Sequence, residues 1–169
     1  MRHTLIFIVG LVLSLSIPIH GRVGALFKDL INHLNPDRQQ GKATHVIIEV
    51  VPELMKYDTD TFTVVAGDKI ILDLDNRDGM QHNLLILKPG SLEKVGAAAD
   101  AMLSDPNASE KHYVPEMPEV LFATEMLDPE EIFTLTFTAP SQPGDYPFVC
   151  TFPGHWRMMN GIMQVKPKG

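Results

Sequence analysis

The 169-residue chain has a single cysteine, Cys150, and a single tryptophan, Trp156. One thiol excludes an internal disulfide framework, a Cys₄ zinc site, a cysteine-bound iron–sulfur cluster within one chain and a binuclear copper centre bridged by two thiolates. Basic residues are also scarce. Lys and Arg number 14 against 21 Asp and Glu, a net charge of −7. A nucleic-acid binder needs a basic face to neutralise phosphates, so the balance argues against that class. The 12 glycines and 13 prolines supply many turns but are too few for a collagenous or disordered chain. With 44% apolar and 21% charged residues, the composition is that of one ordinary globular domain.

The longest uncharged run lies at the N-terminus. Arg2 and His3 precede a run without charge from Thr4 to Ile19, too short to span a bilayer comfortably. Small residues follow at Gly21 and Ala25. This pattern predicts a cleaved secretory signal over residues 1–25, cut after Ala25 or Gly21, with a retained anchor as the alternative. No cysteine lies near the cut to carry a lipid. Removing residues 1–25 leaves 12 basic against 21 acidic residues, a net charge of −9. The expected location is periplasmic or secreted. Membrane contact would be peripheral or through an uncleaved signal. An exported thiol without a partner is unusual and requires an explanation.

Residues 26–43 read as a short helix and linker, with Leu26, Phe27, Leu30, Ile31 and Leu34 at helical spacing and Asn35-Pro36 ending the pattern. His33 and His45 read as solvated surface histidines. From residue 44 the period changes to two. Strands are predicted at 45–51, 61–66, 69–75, 83–87, 120–126, 132–138, 145–151 and 161–165. The 69–75 stretch (KIILDLD) alternates strictly, as an antiparallel strand wet on one side does. Between them, Ser91–Leu103 breaks into a helix, with Ser91 as cap and Leu92, Val95, Ala99 and Met102 on one face. Residues 44–169 are therefore expected to form an all-β Greek-key β-sandwich of seven to eight strands with one helical insertion.

The chemistry concentrates in one segment, Cys150-Thr-Phe-Pro-Gly-His155-Trp-Arg-Met158-Met159-Asn-Gly161. Pro153 and Gly154 make the connection between Cys150 and His155 a tight loop, which can fold the imidazole back to the sulfur. His82 stands at a strand edge beside the 76–79 loop. If those strands are neighbours, one end of the sandwich collects His82, Cys150, His155 and Met159. Two imidazoles and a thiolate with a weak axial thioether form a mononuclear blue-copper electron-transfer site. Ligation of one copper ion would also protect the exported thiol. Taken singly, each residue has a plainer reading: a lone Cys as a small buried hydrophobe, a lone His as surface or core, and a Met pair as packing. The combination favours the metal.

At these residues the chain resembles the cupredoxins, most closely their azurin and auracyanin branch. The resemblance is carried by CTFPGH (150–155) with Met159-x-Gly161, by His82-Asn83, and by flanking FTVxxGD (62–68) and GDYxFxC (144–150). It implies His82, Cys150 and His155 as equatorial ligands and Met159 as axial ligand. In azurins the carbonyl before the first His is a distant fifth contact; here Gln81 stands where azurins have Gly. Azurins also carry a disulfide remote from copper, which a chain with only Cys150 cannot form.

Backbone N–H groups of Asn83 or Phe152 are expected to reach the Cys150 sulfur, and the Asn83 side chain to tie the two ligand loops together. Pro153, Trp156, Met158 and Met80 form either an apolar docking collar or, for Trp156 and Met158, ordinary core. Glu125, Asp128, Glu130 and Glu131 read as a solvated acidic turn able to steer a basic partner. Lys166 and Lys168 read as a solvated tail, and Met102, Met117, Met126 and Met163 as core filler. His112 has no evident partner. The expected function is one-electron transfer between redox proteins, by resemblance c-type cytochromes or a membrane oxidase or reductase. The competing expectations are a copper carrier or delivery protein, and an enzyme with Cys150 as nucleophile and His82 or His155 as base.

Overall fold

The computed structural model of the chain describes residues 43–169. The targeting segment at 1–25 and the short helix and linker at 26–43 lie, apart from Ala43, outside the described residues. The elements are β1 (Thr44–Val51), β2 (Lys56–Tyr57), β3 (Thr61–Val65), β4 (Lys69–Asp75), β5 (Leu85–Leu87), α1 (Leu92–Ala101), β6 (Val120–Ala123), β7 (Ile132–Thr138), β8 (Gly144–Val149) and β9 (Asn160–Lys166). They build a four-stranded sheet in the order β2-β1-β4-β7 and a five-stranded sheet in the order β3-β9-β8-β5-β6.

Alternation decides which side chains face between the sheets. In β4, Ile70, Leu72 and Leu74 are fully buried while the residues between them are half-exposed. β1 contributes Ile48 and Val50 to the same core, and β7 contributes Phe137. From the other sheet come Val64, Ile86, Phe148, Met163 and Val165. Burying each such side chain stabilises the fold by about 1.5–3 kcal/mol. The five-stranded sheet is covered on its second face as well. Leu85, Leu87 and Val149 point away from the main core and pack with Val95 and Trp156 beneath α1.

Several boundaries differ from the sequence expectation, each for a local reason. There are nine strands among the described residues, because the two-residue β2 pairs with the end of β1 and buries Tyr57. β4 is antiparallel to β7 but parallel to β1, so both sheets are mixed: β3 and β9 are also parallel. The strands expected at 83–87, 120–126 and 145–151 are shorter at the ends near His82 and Cys150. There, side chains replace the ladder. Leu84 N–H donates to Thr124 Oγ1 (3.0 Å), and Thr151 N–H donates to Asn83 Oδ1 (2.8 Å). Ser91 precedes α1, but its hydroxyl donates to the Lys88 carbonyl (2.6 Å) and does not cap the helix.

Candidate metal centre

Two segments meet at one end of the sandwich. The first runs from the end of β4 to β5 and carries His82. Its backbone is fixed by an antiparallel bridge: His82 N–H donates to Leu127 O (3.1 Å), and Leu127 N–H donates to His82 O (2.8 Å). The second joins β8 to β9 and carries Cys150, His155 and Met159. It closes on itself. His155 N–H donates to Phe152 O (3.0 Å), and Cys150 N–H donates to Met159 O (3.0 Å). The N–H groups of Met158 and Met159 both donate to His155 O (2.9 Å). The turn into His155 requires φ +85° at residue 154, a left-handed conformation that glycine adopts without steric cost.

These constraints bring His82 Nδ1 and His155 Nδ1 each to 3.8 Å from Cys150 Sγ, with the ring centroids 5.0 Å apart. All three residues are buried. A separation of 3.8 Å suits donors that share one metal ion at roughly 2.1 Å from nitrogen and 2.3 Å from sulfur, distances of the kind zinc sites show. Met159 is fully buried in the same core cluster as Cys150, whereas Met158 is 64% exposed. Imidazole nitrogens beside a thiolate suit a copper ion.

The electrostatics fit a metal and not a free nucleophile. Burial pushes the Cys150 thiol up to about 12, against the pull of the Asn83 and Phe152 backbone N–H groups, as expected for those two donors. Such a thiol is inert unless a cation displaces its proton. Burial also holds the His155 imidazole below its ordinary value. The neighbouring His82 adds to that, and the Asp78 charge opposes it. A neutral ring is the form that ligates a metal.

Around the centre, Asn83 joins the two segments. Its Nδ2 donates to Thr151 Oγ1 (2.9 Å) and to His112 O (2.9 Å). His112 therefore does have partners: its Nδ1 accepts from Met126 N–H (3.1 Å), and it sits at φ +52°. Trp156 is core and not collar. It is 6% exposed, packs under α1, and donates from Nε1 to Asp100 Oδ1 (3.0 Å). Arg157 lies 4.3 Å over its ring and pairs with the same carboxylate (2.8 Å). Met158 and Met80 take the exposed positions, and Pro153 is half-buried. Of the other methionines, Met102 and Met163 are buried, and Met117 and Met126 half-buried. His45 is exposed beside Asp73 (2.7 Å). Glu125, Asp128, Glu130 and Glu131 are all exposed, and Gln81 Nε2 donates to Asp128 Oδ1 (2.5 Å), so the acidic turn flanks the His82 segment.

Three contributors escape the sequence reading. Asp78 Oδ2 lies 2.9 Å from His82 Nε2. The Glu53 N–H, then His82, hold the Asp78 carboxyl down at about 2. Tyr57 OH donates to Asn83 O (2.6 Å) from the core side. Asn76, fully buried, reaches Met80 O (2.8 Å) and Leu127 O (3.1 Å) with its amide and accepts from Asp78 N–H (3.1 Å). Only the four-residue spacing of Asp78 and His82 offered a signal beforehand.

A two-sheet β-sandwich with a buried imidazole–thiol–imidazole group at one end defines a mononuclear copper protein of the blue-copper class. The model of the copper binding proteins of the plastocyanin/azurin family matches residues 44–166. The chain belongs to that family and holds one copper ion, for which His82, Cys150 and His155 form the candidate site. It is similar to Auracyanin-A of Chloroflexus aurantiacus, 30% identical over 115 residues covering 67% of this chain and 68% of the relative. It is also similar to Auracyanin-B of the same organism, 31% identical over 130 residues, covering 74% of this chain and 53% of the relative. Among solved structures, a dithionite-reduced auracyanin from Roseiflexus castenholzii superposes with a TM-score of 0.65 at 36% identity, covering 75% of this chain and all of the other.

Proposed function

We propose that this chain is an exported mononuclear blue-copper protein that carries one electron between redox proteins, with His82, Cys150 and His155 as equatorial ligands and Met159 as axial ligand. One observation carries this reading: the only thiol is fully buried and lies 3.8 Å from two imidazole nitrogens on separate segments. The bound copper supplies the one-electron couple. The protein keeps the donors fixed through both oxidation states, since Asn83, Asn76 and the Leu127 bridge hold the segments independently of any metal. His155 is 3% exposed where His82, Cys150 and Met159 are fully buried, and the exposed Met158 lies in the same turn, so that surface is the proposed exit for the electron. The acidic turn beside Gln81 would favour a partner with a basic face, such as a c-type cytochrome.

The competing expectations fit less well. Delivery of copper calls for exposed, exchangeable donors, yet His82, Cys150 and Met159 are fully buried. A cysteine nucleophile needs a lowered thiol pKa and access, and Cys150 has neither. No helix among the described residues is long and apolar enough to cross a membrane. Export is proposed from the N-terminal pattern.

The test is the colour of the purified protein on adding Cu(II). One equivalent is expected to give an intense thiolate-to-copper charge-transfer band that a one-electron reductant bleaches and a one-electron oxidant restores. Cys150→Ser is expected to be colourless. An equally coloured serine variant, or copper lost within minutes to a mild chelator, would overturn the reading.

A further inference from the structure

Both imidazoles present Nδ1 to Cys150, so a copper ion shared with the sulfur would take Nδ1 of each ring and leave the ring proton on Nε2. The two Nε2 atoms have different surroundings. His82 Nε2 donates to the Asp78 carboxylate, and both side chains are buried. Among the described residues, no carboxylate lies in salt-bridge range of His155. Asp78 is itself held in place: Oδ1 accepts from Glu53 N–H (2.8 Å), and its own N–H donates to Asn76 Oδ1 (3.1 Å). The turn that delivers the Glu53 N–H has Glu53 at φ +62° and Met55 at φ +45°, left-handed conformations that non-glycine residues adopt only when their surroundings enforce them.

From this geometry we propose that Asp78 is a positioning residue that fixes the tautomer of His82, strengthens it as a donor, and thereby holds the reduction potential of the site below the value the same ligands would have without a carboxylate. A carboxylate hydrogen-bonded to the far nitrogen of a ligand imidazole raises the basicity of the near nitrogen. A more basic donor and a buried negative charge both favour the higher-charged Cu(II) over Cu(I). The hydrogen bond reaches His82 alone, so the two imidazoles are unequal donors. The effect reaches from the β1–β2 turn, through Glu53 and Asp78, to the centre.

The inference rests on the electron-carrier reading, and the experiment separates the two. The parent and the variants Asp78→Asn and Asp78→Ala are loaded with one copper each, and their reduction potentials are measured by spectroelectrochemical titration at one neutral pH. Both variants are expected to remain blue. Their preference for Cu(II) relative to Cu(I) should fall about tenfold, an upward shift of about 59 mV for one electron. A parent that takes up no blue copper would overturn the electron-carrier reading. Blue variants with an unshifted potential overturn the Asp78 inference alone and leave Asp78 a fastener of the loop. Should the variants not fold, proton NMR of the reduced parent decides. A slowly exchanging, strongly downfield His82 Nε2–H resonance supports the proposal, and its absence overturns it.

Discussion

Asn83 and Thr151 are joined by two hydrogen bonds across the ends of β5 and β8: Asn83 Nδ2 donates to Thr151 Oγ1, and Thr151 N–H donates to Asn83 Oδ1. Each neighbours a candidate ligand, His82 on one side and Cys150 on the other. This reciprocal pair therefore sets the spacing of imidazole and sulfur before any metal arrives. A preformed site of this kind limits the rearrangement that accompanies a change of metal charge.

The first prediction concerns that pair. Asn83→Ala strands the buried Thr151 N–H and removes a partner from the His112 carbonyl. An orphaned buried donor costs about 1–3 kcal/mol. The variant should show that loss in urea unfolding of the copper-free protein, together with copper affinity weakened roughly tenfold or more. Unchanged affinity would mean that the two segments keep their spacing without Asn83.

The second prediction concerns the helical insertion. A Cβ placed on Gly96 would overlap the six-membered ring of Trp156. Trp156 directly follows His155, and its indole is also fixed by Asp100. Gly96→Ala must therefore push either α1 or the indole outward. Overpacking of this kind costs about 1–3 kcal/mol. Thermal unfolding should register it, and the absorption band should change because the displaced residue adjoins a ligand. A variant with parental stability and spectrum would show that α1 yields freely and does not clamp the loop.

How much of this was legible in the sequence follows from the range of each interaction. β4 and β7 alternate over seven residues each, and their period locates them. β2 has two residues and owes its existence to pairing with β1, which no local pattern encodes. The parallel pairing of β4 with β1 is likewise a matter of topology. Cys150, His155 and Met159 lie within one loop, so their spacing alone suggested a common centre. His82 belongs to another segment and needed the expectation that two strands are neighbours. Asp78 and Tyr57 act on the site from elements whose contacts with it exist only in the folded chain. Trp156 was legible as apolar but not as core, since a residue beside a ligand can face either the interior or the solvent.

The third prediction is a pH dependence of the copper-free protein. Burial lowers the His155 pKa from its ordinary value of 6.5. Below about pH 6.5 the unfolded chain therefore binds a proton that the folded chain resists, and stability falls as pH falls. The Asp78 carboxyl is also depressed, from 3.8 to about 2. Its contribution is fully present above 3.8 and is lost as pH drops through about 2. A shift of that size corresponds to roughly 2 kcal/mol. Denaturant midpoints measured across the acid range should decline in these two stages. Asp73, Asp100, Asp105 and Glu119 are also depressed by their partners, so Asp78→Asn should shrink the lower stage rather than remove it, and a variant that retains it in full would assign that stage to those carboxylates.

The last prediction separates the adjacent methionines. Both backbone N–H groups donate to His155 O, so the turn geometry alone does not decide between them. Burial does. Met159 is fully buried in the cluster that contains Cys150, and its carbonyl accepts the Cys150 N–H, whereas Met158 is 64% exposed. The buried thioether is therefore the proposed axial donor. Loss of a weak donor tunes a blue-copper site without abolishing it. Met159→Leu should therefore retain copper and colour while raising the reduction potential, because removing a donor disfavours Cu(II) more than Cu(I). Leu is close in volume to Met, so the fold should lose less than about 1.5 kcal/mol. Met158→Leu should leave the potential nearly unchanged. Met158→Lys, which puts a charge on the surface next to His155, should slow electron exchange with redox partners while preserving the spectrum. A larger potential shift from Met158→Leu than from Met159→Leu would reverse the assignment of the axial position.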